Sequence, residues 1–476
     1  MALILSKISE FLWGIPLIVL ILGCGIFLTI KLKGIQIKKL GLALKYMIKN
    51  EESGEDGEIS SFAALCTALS ATLGTGNIVG VATAIVAGGP GALFWMWAAA
   101  FVGMATKYAE CLLAVKFRTV AEDGHIVGGP FYYIEKGMGP KWKWLAKIFA
   151  FFGLCVGLFG IGTFTQINGI TSAVRDFFDP NNAYSVTIFG TQYSWATIIA
   201  GIVLSFFVAL VIIGGIKRIS GVSQVIVPFM AIVYVAVVLI IIFTHLNAIP
   251  AAFASIIEGA FGLRAAAGGA LGAMFMAMQK GIARGIFSNE AGLGSAPIAA
   301  AAAQSDSPGQ QGLISMLGTF IDTIVICTMT GLSIIIAGTW NIGLEGVAVT
   351  SKAFQDTLPF PSQVSAFILM ICLVFFAFTT ILGWDYYSER CLEYLTNGHK
   401  KTILTYRWLY ILAVFIGPYM TVSAVWTIAD IFNGLMAIPN LIALIALNGV
   451  VVAETRIYLK RIGKYNGKID LKESKK

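Results

Sequence analysis

Charge is what this sequence has least of. Asp, Glu, Lys and Arg make up 12% of its 476 residues, about half the 25% of an ordinary soluble domain. Hydrophobic residues make up 57%, and they come in long runs. A soluble domain of this length needs far more polar surface, so the expected class is an all-α polytopic membrane protein. Paired cysteines are missing: the seven cysteines lie singly in apolar segments, as at Cys24, Cys66, Cys155 and Cys327. Without a CxxC pair there is neither a disulfide framework nor a zinc site. The three histidines, His125, His245 and His399, stand apart, outside any metal-ligand spacing. HExxH and GxSxG are absent as well, which leaves a membrane-embedded enzyme without machinery. The net charge of +8 would suit nucleic acid on a soluble face. Here the basic residues fill short connections between apolar runs, so a lipid bilayer is the partner and nucleic acid is not.

Eleven segments are long enough to span a membrane. They lie near 11–31, 60–88, 92–116, 146–172, 194–214, 222–243, 266–303, 313–337, 362–390, 404–423 and 425–451. The first lacks the small-residue cleavage site of a signal peptide and reads as a helix. Alternate connections hold most of the Lys and Arg: Lys31 to Lys39, Lys116 to Lys143, Lys217 and Arg218, Lys400 and Lys401, and the tail from Arg456. The other connections hold Arg175, Arg264 and Lys352. The positive-inside rule then places the N-terminus outside and the C-terminus in the cytoplasm of a cell (inner) membrane protein. Residues 35–49 read as a basic amphipathic helix on the inner surface.

Two of these segments are interrupted. The second contains "SATLGTGNIVG", with Gly74, Gly76 and Gly80. The seventh contains "MQKGIARGIFSNEAGLGSAP", with Gly281, Gly285, Gly292 and Gly294. After setting the first span aside, the interrupted segments open two successive five-helix halves. Five is odd, so the halves have opposite orientation: an inverted repeat, whose paired broken helices mark a transporter site. The units are then 1–58, a first helix with its amphipathic segment; 59–244 and 245–453, the two repeats; and 454–476, a basic tail. In hydrocarbon every backbone N–H and C=O needs a partner, so an unwound stretch there must line a cavity or bind something. Freed N–H groups suit a carboxylate; freed C=O groups, with the oxygens of Thr72, Thr75 and Asn77, suit a small cation. "GTGNIVG" is not a dinucleotide loop, because no strand precedes it. Asp322 is an acid within a span and therefore a functional candidate, with structural pairing to a basic group as the equal alternative. Lys280 and Arg284 could form structural ion pairs with Glu290 or Glu110, a pairing that the sequence leaves open.

The stretches "SATLGTGNIVGVATAIVAGGPGALFWMW", "GMATKYAE", "GGPFYYIEKG" and "GIARGIFSNEAGLGSAP" together resemble the alanine-or-glycine:cation symporter family. That family is similar to the wider amino acid transporters of leucine-transporter-like 5+5 fold. The resemblance implies Na⁺-coupled uptake of alanine or glycine, with Na⁺ as coupling ion and no other cofactor. It implies that amides at Thr75 and Gly76 receive the substrate carboxylate, and that the Thr72 carbonyl and the Asn77 side chain hold a cation beside it. A second cation would lie among Leu69, Leu73, Thr379 and Thr380. Gln166 would be a polar substrate contact. The break at Gly285, Ile286, Phe287 and Ser288 would offer carbonyls to the ammonium and an apolar wall that admits only small side chains. The nearest alternatives are proton coupling or a broader range of small neutral amino acids. A channel fits two asymmetric broken helices poorly.

Overall fold

A computed structural model describes residues 2–49, 57–121, 124–188, 190–262, 269–305 and 307–465. The N-terminal part has α1 (Ala2–Leu12), α2 (Ile15–Lys31), α3 (Ile35–Lys38) and α4 (Leu40–Lys49). The first interrupted segment is α5 (Ser61–Thr72), a short irregular stretch, a π-helical turn (Gly76–Gly80) and α6 (Val81–Gly88), with a 53° bend between its halves. There follow α7 (Gly91–Lys116), α8 (Pro130–Tyr132), α9 (Lys143–Phe159), α10 (Phe164–Phe178), α11 (Trp195–Ile212), α12 (Gly215–Thr244) and α13 (Ile249–Ala260). The second interrupted segment is α14 (Ala270–Asn289) and α15 (Ala296–Ala301). Next come α16 (Pro308–Thr319), a π-helical stretch (Phe320–Cys327), α17 (Thr328–Ala337), α18 (Val347–Thr357), α19 (Ser362–Thr396), α20 (Lys400–Ile416), α21 (Val422–Ala446) and α22 (Asn448–Tyr465).

Among the described residues, eight helices or helix pairs are long and apolar enough to cross a membrane, and the bent α5–α6 pair makes a ninth. The other two expected segments are occupied by α14–α15, where Gln279, Lys280 and Arg284 dilute the apolar run, and by α20, 17 residues long. The fourth expected segment is split: α9 ends at Phe159 and α10 begins at Phe164. Arg264 and the tail beyond residue 465 lie outside the described residues.

The bundle is built around α7, most of whose residues are buried. It packs against α16, α14, α15, α13 and α2. Small residues permit the approach, as membrane packing favours. A Cβ on Gly281 would sit 2.2 Å from the Ala92 carbonyl oxygen, and one on Gly103 would sit 2.9 Å from Ala291 Cβ. Ser60 caps α5, its hydroxyl accepting from the Ala63 N–H at 3.1 Å. Just before this cap, Ile59 and Ser60 pair in parallel with Ala303 and Gln304, beyond α15. The Ser61 hydroxyl donates to the Gln304 carbonyl at 2.7 Å. The start of the first interrupted segment is thus tied to the end of the second, and the two run antiparallel. Outside the bundle, Asp179 follows α10 and anchors the 185–194 hairpin. It accepts from the Ser194 hydroxyl (2.6 Å) and the Ala183 N–H (2.7 Å), bonds that hold its carboxyl below the usual aspartate range.

Candidate functional site

The first break spans Leu73 to Thr75, and its freed backbone groups meet side chains from three directions. The Gly74 N–H donates to Asn77 Oδ1 at 2.9 Å, and the Thr75 N–H donates to Gln166 Oε1 at 2.9 Å. The Leu73 carbonyl accepts from Thr380 Oγ1 at 3.1 Å. Gln166, on α10, is itself held by the break before that helix: its Nε2 donates to the Ile161 carbonyl at 2.9 Å. Only glycine fits at 74 and 169. A Cβ on Gly74 would lie 2.5 Å from Thr380 Oγ1, and one on Gly169 would lie 2.5 Å from Thr75 Cγ2. Gly76 sits against the last turn of α14, where a Cβ would be 3.1 Å from Ser288 Cα and 3.5 Å from Phe287 Cδ1. Its φ is not positive, so the constraint on a side chain there is one of space and not of dihedral.

Asp322, on the π-helical stretch before α17, joins the two interrupted segments. It accepts from Asn77 Nδ2 at 2.6 Å, from the Ser288 hydroxyl at 3.0 and 2.9 Å, and from Thr323 Oγ1 at 2.7 Å. All these partners donate, so the carboxylate is satisfied as an anion by neutral groups. Asn77 therefore turns its oxygen to Gly74 and its amide nitrogen to Asp322.

A cavity of about 470 Å³ leads to this region. It is lined by Thr75 and Val79 of the first interrupted segment, Asn168 and Gly169 of α10, Arg284 of α14 and Trp426 of α21. It extends to Arg175, Asp176 and Glu345 at one end of the bundle. Thr75 Oγ1 is buried without a hydrogen-bond partner. The Phe287 ring lies 4.8 Å from the Trp426 ring. Arg284 packs over Trp426 at 4.8 Å and forms a two-pronged pair with Asp430, 2.9 Å for each bond.

Three expectations change. The second break does not fall at Gly285–Ser288: α14 runs on through Asn289, and the Ile286 carbonyl accepts from the Glu290 N–H at 2.8 Å. Gly285 and Ile286 are helical, and only Phe287 and Ser288 belong to the turn with spare carbonyls. The irregular chain is 290–295, with positive φ at Glu290, Gly292 and Gly294. Thr72 spends its hydroxyl on its own helix, toward Ala68 and Leu69 carbonyls at 3.2 and 3.3 Å. The paired threonines part company: Thr380 reaches Leu73, whereas Thr379 Oγ1 faces the Phe376 carbonyl (3.0 Å) and Met230 Sδ (3.7 Å). The Leu69 carbonyl accepts from the Leu73 N–H at 2.7 Å. The partner of Arg284, which the sequence left open, is Asp430 and neither Glu290 nor Glu110. Sequence reasoning missed Trp426, a lone aromatic in an apolar run with no local signal. It also missed Gly169, whose only signal is a glycine one turn after Gln166.

A profile of the sodium:alanine symporter family matches residues 1–471. The sodium/alanine symporter AgcS of Methanococcus maripaludis is 47% identical over 464 residues, 96% of each chain. The probable sodium/glutamine symporter GlnT of Bacillus subtilis is 37% identical over 95% of this chain and 90% of that one. Among solved structures, MhsT in complex with L-phenylalanine is similar with a TM-score of 0.56 and 12% identity, over 85% of this chain and 99% of that one. That last likeness is one of fold.

Proposed function

From a chain that belongs to the sodium:alanine symporter family, whose members are membrane transporters and not enzymes, we propose a secondary active transporter that carries alanine or glycine into the cell together with Na⁺. The observation that carries this reading is the floor of the cavity. There the unpartnered Thr75 hydroxyl stands beside backbone N–H groups held only by the neutral amides of Gln166 and Asn77. A substrate carboxylate is a stronger acceptor than an amide oxygen and displaces Gln166 from Thr75. Phe287 and Trp426 form the apolar wall for a methyl group. Branched side chains clash with it, so leucine binds weakly if at all.

The coupling ion is assigned to two places. One is at the Thr72 carbonyl and Asn77, beside the substrate carboxylate and near Asp322, where Asn77 Oδ1 must turn from the Gly74 N–H to join it. The other is at Leu69, Leu73, Thr379 and Thr380, where the contact of Thr380 with the Leu73 carbonyl supports the assignment and Thr379 must turn from Met230 to join it. The antiparallel course of the two interrupted segments supports an eleven-span chain with a 5+5 inverted repeat. With the N-terminus outside, the cavity opens outward. One charge moving through 100 mV releases about 2.3 kcal/mol, and a tenfold Na⁺ gradient adds about 1.4 kcal/mol. One Na⁺ per zwitterion is therefore enough for accumulation of several hundredfold. The test is uptake of labelled alanine into proteoliposomes. Saturable accumulation above equilibrium that needs an inward Na⁺ gradient supports symport. Equilibration without accumulation, or uptake indifferent to Na⁺, contradicts it.

A further inference from the structure

Lys107 and Glu110 lie one turn apart on α7, and Glu290 opens the second break; none is more than 2% exposed. Glu110 Oε1 accepts from the Gly292 N–H at 3.1 Å and from Asn440 Nδ2 at 2.6 Å, while Glu110 Oε2 has no partner. Glu290 accepts from Trp384 Nε1 at 2.7 Å and from the Ser295 hydroxyl. Lys107 Nζ, equally buried, has no hydrogen-bond partner. The other titratable groups facing Glu110 are Cys111 on α7, Cys24 on α2 and Tyr133 beyond α8. Those facing Glu290 are Asp322 and, on α19, Tyr387. None of these brings a positive charge. Two carboxylates against one ammonium leave an unbalanced charge inside the bundle even before Asp322 is counted, and a buried charge without compensation costs several kcal/mol.

We propose that Lys107, Glu110 and Glu290 form a proton-binding site, in which one proton taken from water resides on Glu110 Oε2. Of the four carboxyl oxygens it alone makes no hydrogen bond of normal length, although the Gly294 N–H also faces the Glu110 carboxyl, so protonation there removes a charge and leaves both bonds to Oε1 in place. It also weakens the hold of Glu110 on the Gly292 N–H, because a neutral carboxyl is a poorer acceptor than a carboxylate. Proton binding is thereby tied to the shape of the second break. The turn before that break carries Ser288, which touches Asp322 and faces Gly76. Alanine at the first break and a proton at the second are then linked, and the linkage is reciprocal.

The inference rests on the symport reading, and one experiment separates their failures. Alanine is titrated calorimetrically into the purified protein in Na⁺, between about pH 6 and pH 8, in buffers of different ionisation heat. The expected result is exchange of a fraction of one proton per alanine bound and a severalfold change in affinity across the range. Glu110→Gln removes the exchange and retains binding, and Lys107→Met moves the exchange to higher pH. If Glu110→Gln does not fold, the pair Lys107→Met with Glu110→Gln, in which neither charge remains, takes its place with the same expectation. Buffer-independent heats with a flat affinity in the wild type overturn the proposal, as does undiminished exchange in the Glu110→Gln or paired variant. Absence of any alanine binding overturns the symport reading instead.

Discussion

The two breaks differ in what occupies their backbone. At the first, the Gly74 and Thr75 N–H groups are held by the side-chain amides of Asn77 and Gln166, both neutral. At the second, the Gly292 N–H is held by the Glu110 carboxylate, and the Ala291 N–H by Asn289 Oδ1 at 2.9 Å. The first faces a cavity; Gly292 and its surroundings are packed among Glu110, Asn440 and Leu441. A substrate carboxylate displaces an amide oxygen readily but competes badly with an internal carboxylate. The chain therefore has two breaks and one anion site: the first opens on the cavity with exchangeable neutral amides, whereas the second is packed around Glu110, an internal acid whose charge varies with its proton.

The largest effect tests the meeting of the two interrupted segments. Gly76→Val drives a branched side chain toward Ser288 and Phe287, with Cβ already 3.1 Å from Ser288 Cα. Alanine binding is lost at every Na⁺ concentration; normal binding would make Gly76 a packing residue only. Asn77→Ala comes next. It releases Gly74 and takes one donor from buried Asp322, so alanine binding weakens about tenfold to a hundredfold. High Na⁺ restores part of it, because cation and substrate sites are coupled; a loss that Na⁺ never relieves would take Asn77 out of the cation site. Smallest is the paired change Thr379→Val with Thr380→Val, which keeps shape and removes two oxygens. The Na⁺ requirement rises about tenfold with the fold intact. An unchanged requirement in uptake assays removes both residues from the site.

The first break was legible because a second interrupted run follows five helices later; alone, Gly76 and Gly80 also fit the small-residue spacing of helix packing. The second was read four or five residues early, and the reason is physical. Gly281 and Gly285 are glycines of close packing, where a Cβ would meet the Ala92 carbonyl at 2.2 Å and Met96 Cα at 3.3 Å. Gly292 and Gly294 are glycines of left-handed backbone, with φ of 90° and 81°. One letter serves both purposes, and only the neighbours distinguish them. The interruption between α9 and α10 has the same origin: Gly160 and Gly162 sit in a run whose hydrophobicity alone reads as continuous helix. Asp322 was recognisable as an acid in a span, but beyond the adjacent Thr323 its partners are Asn77 and Ser288, which distance along the chain hides. The partner of Arg284 stayed open for the same reason, because Asp430 arrives on α21.

The central claim, that a neutral side chain keeps the first break open to a carboxylate, is tested most directly by Gln166→Glu. This change leaves shape nearly untouched and gives the first break the kind of occupant found at the second. Alanine titrated into the purified variant at neutral pH should bind about a hundredfold more weakly than to the wild type. Because protonation returns the new side chain to neutrality, binding should recover as the pH falls. Wild-type affinity in Gln166→Glu at neutral pH would contradict the account, since the substrate carboxylate would then lie somewhere other than at Thr75.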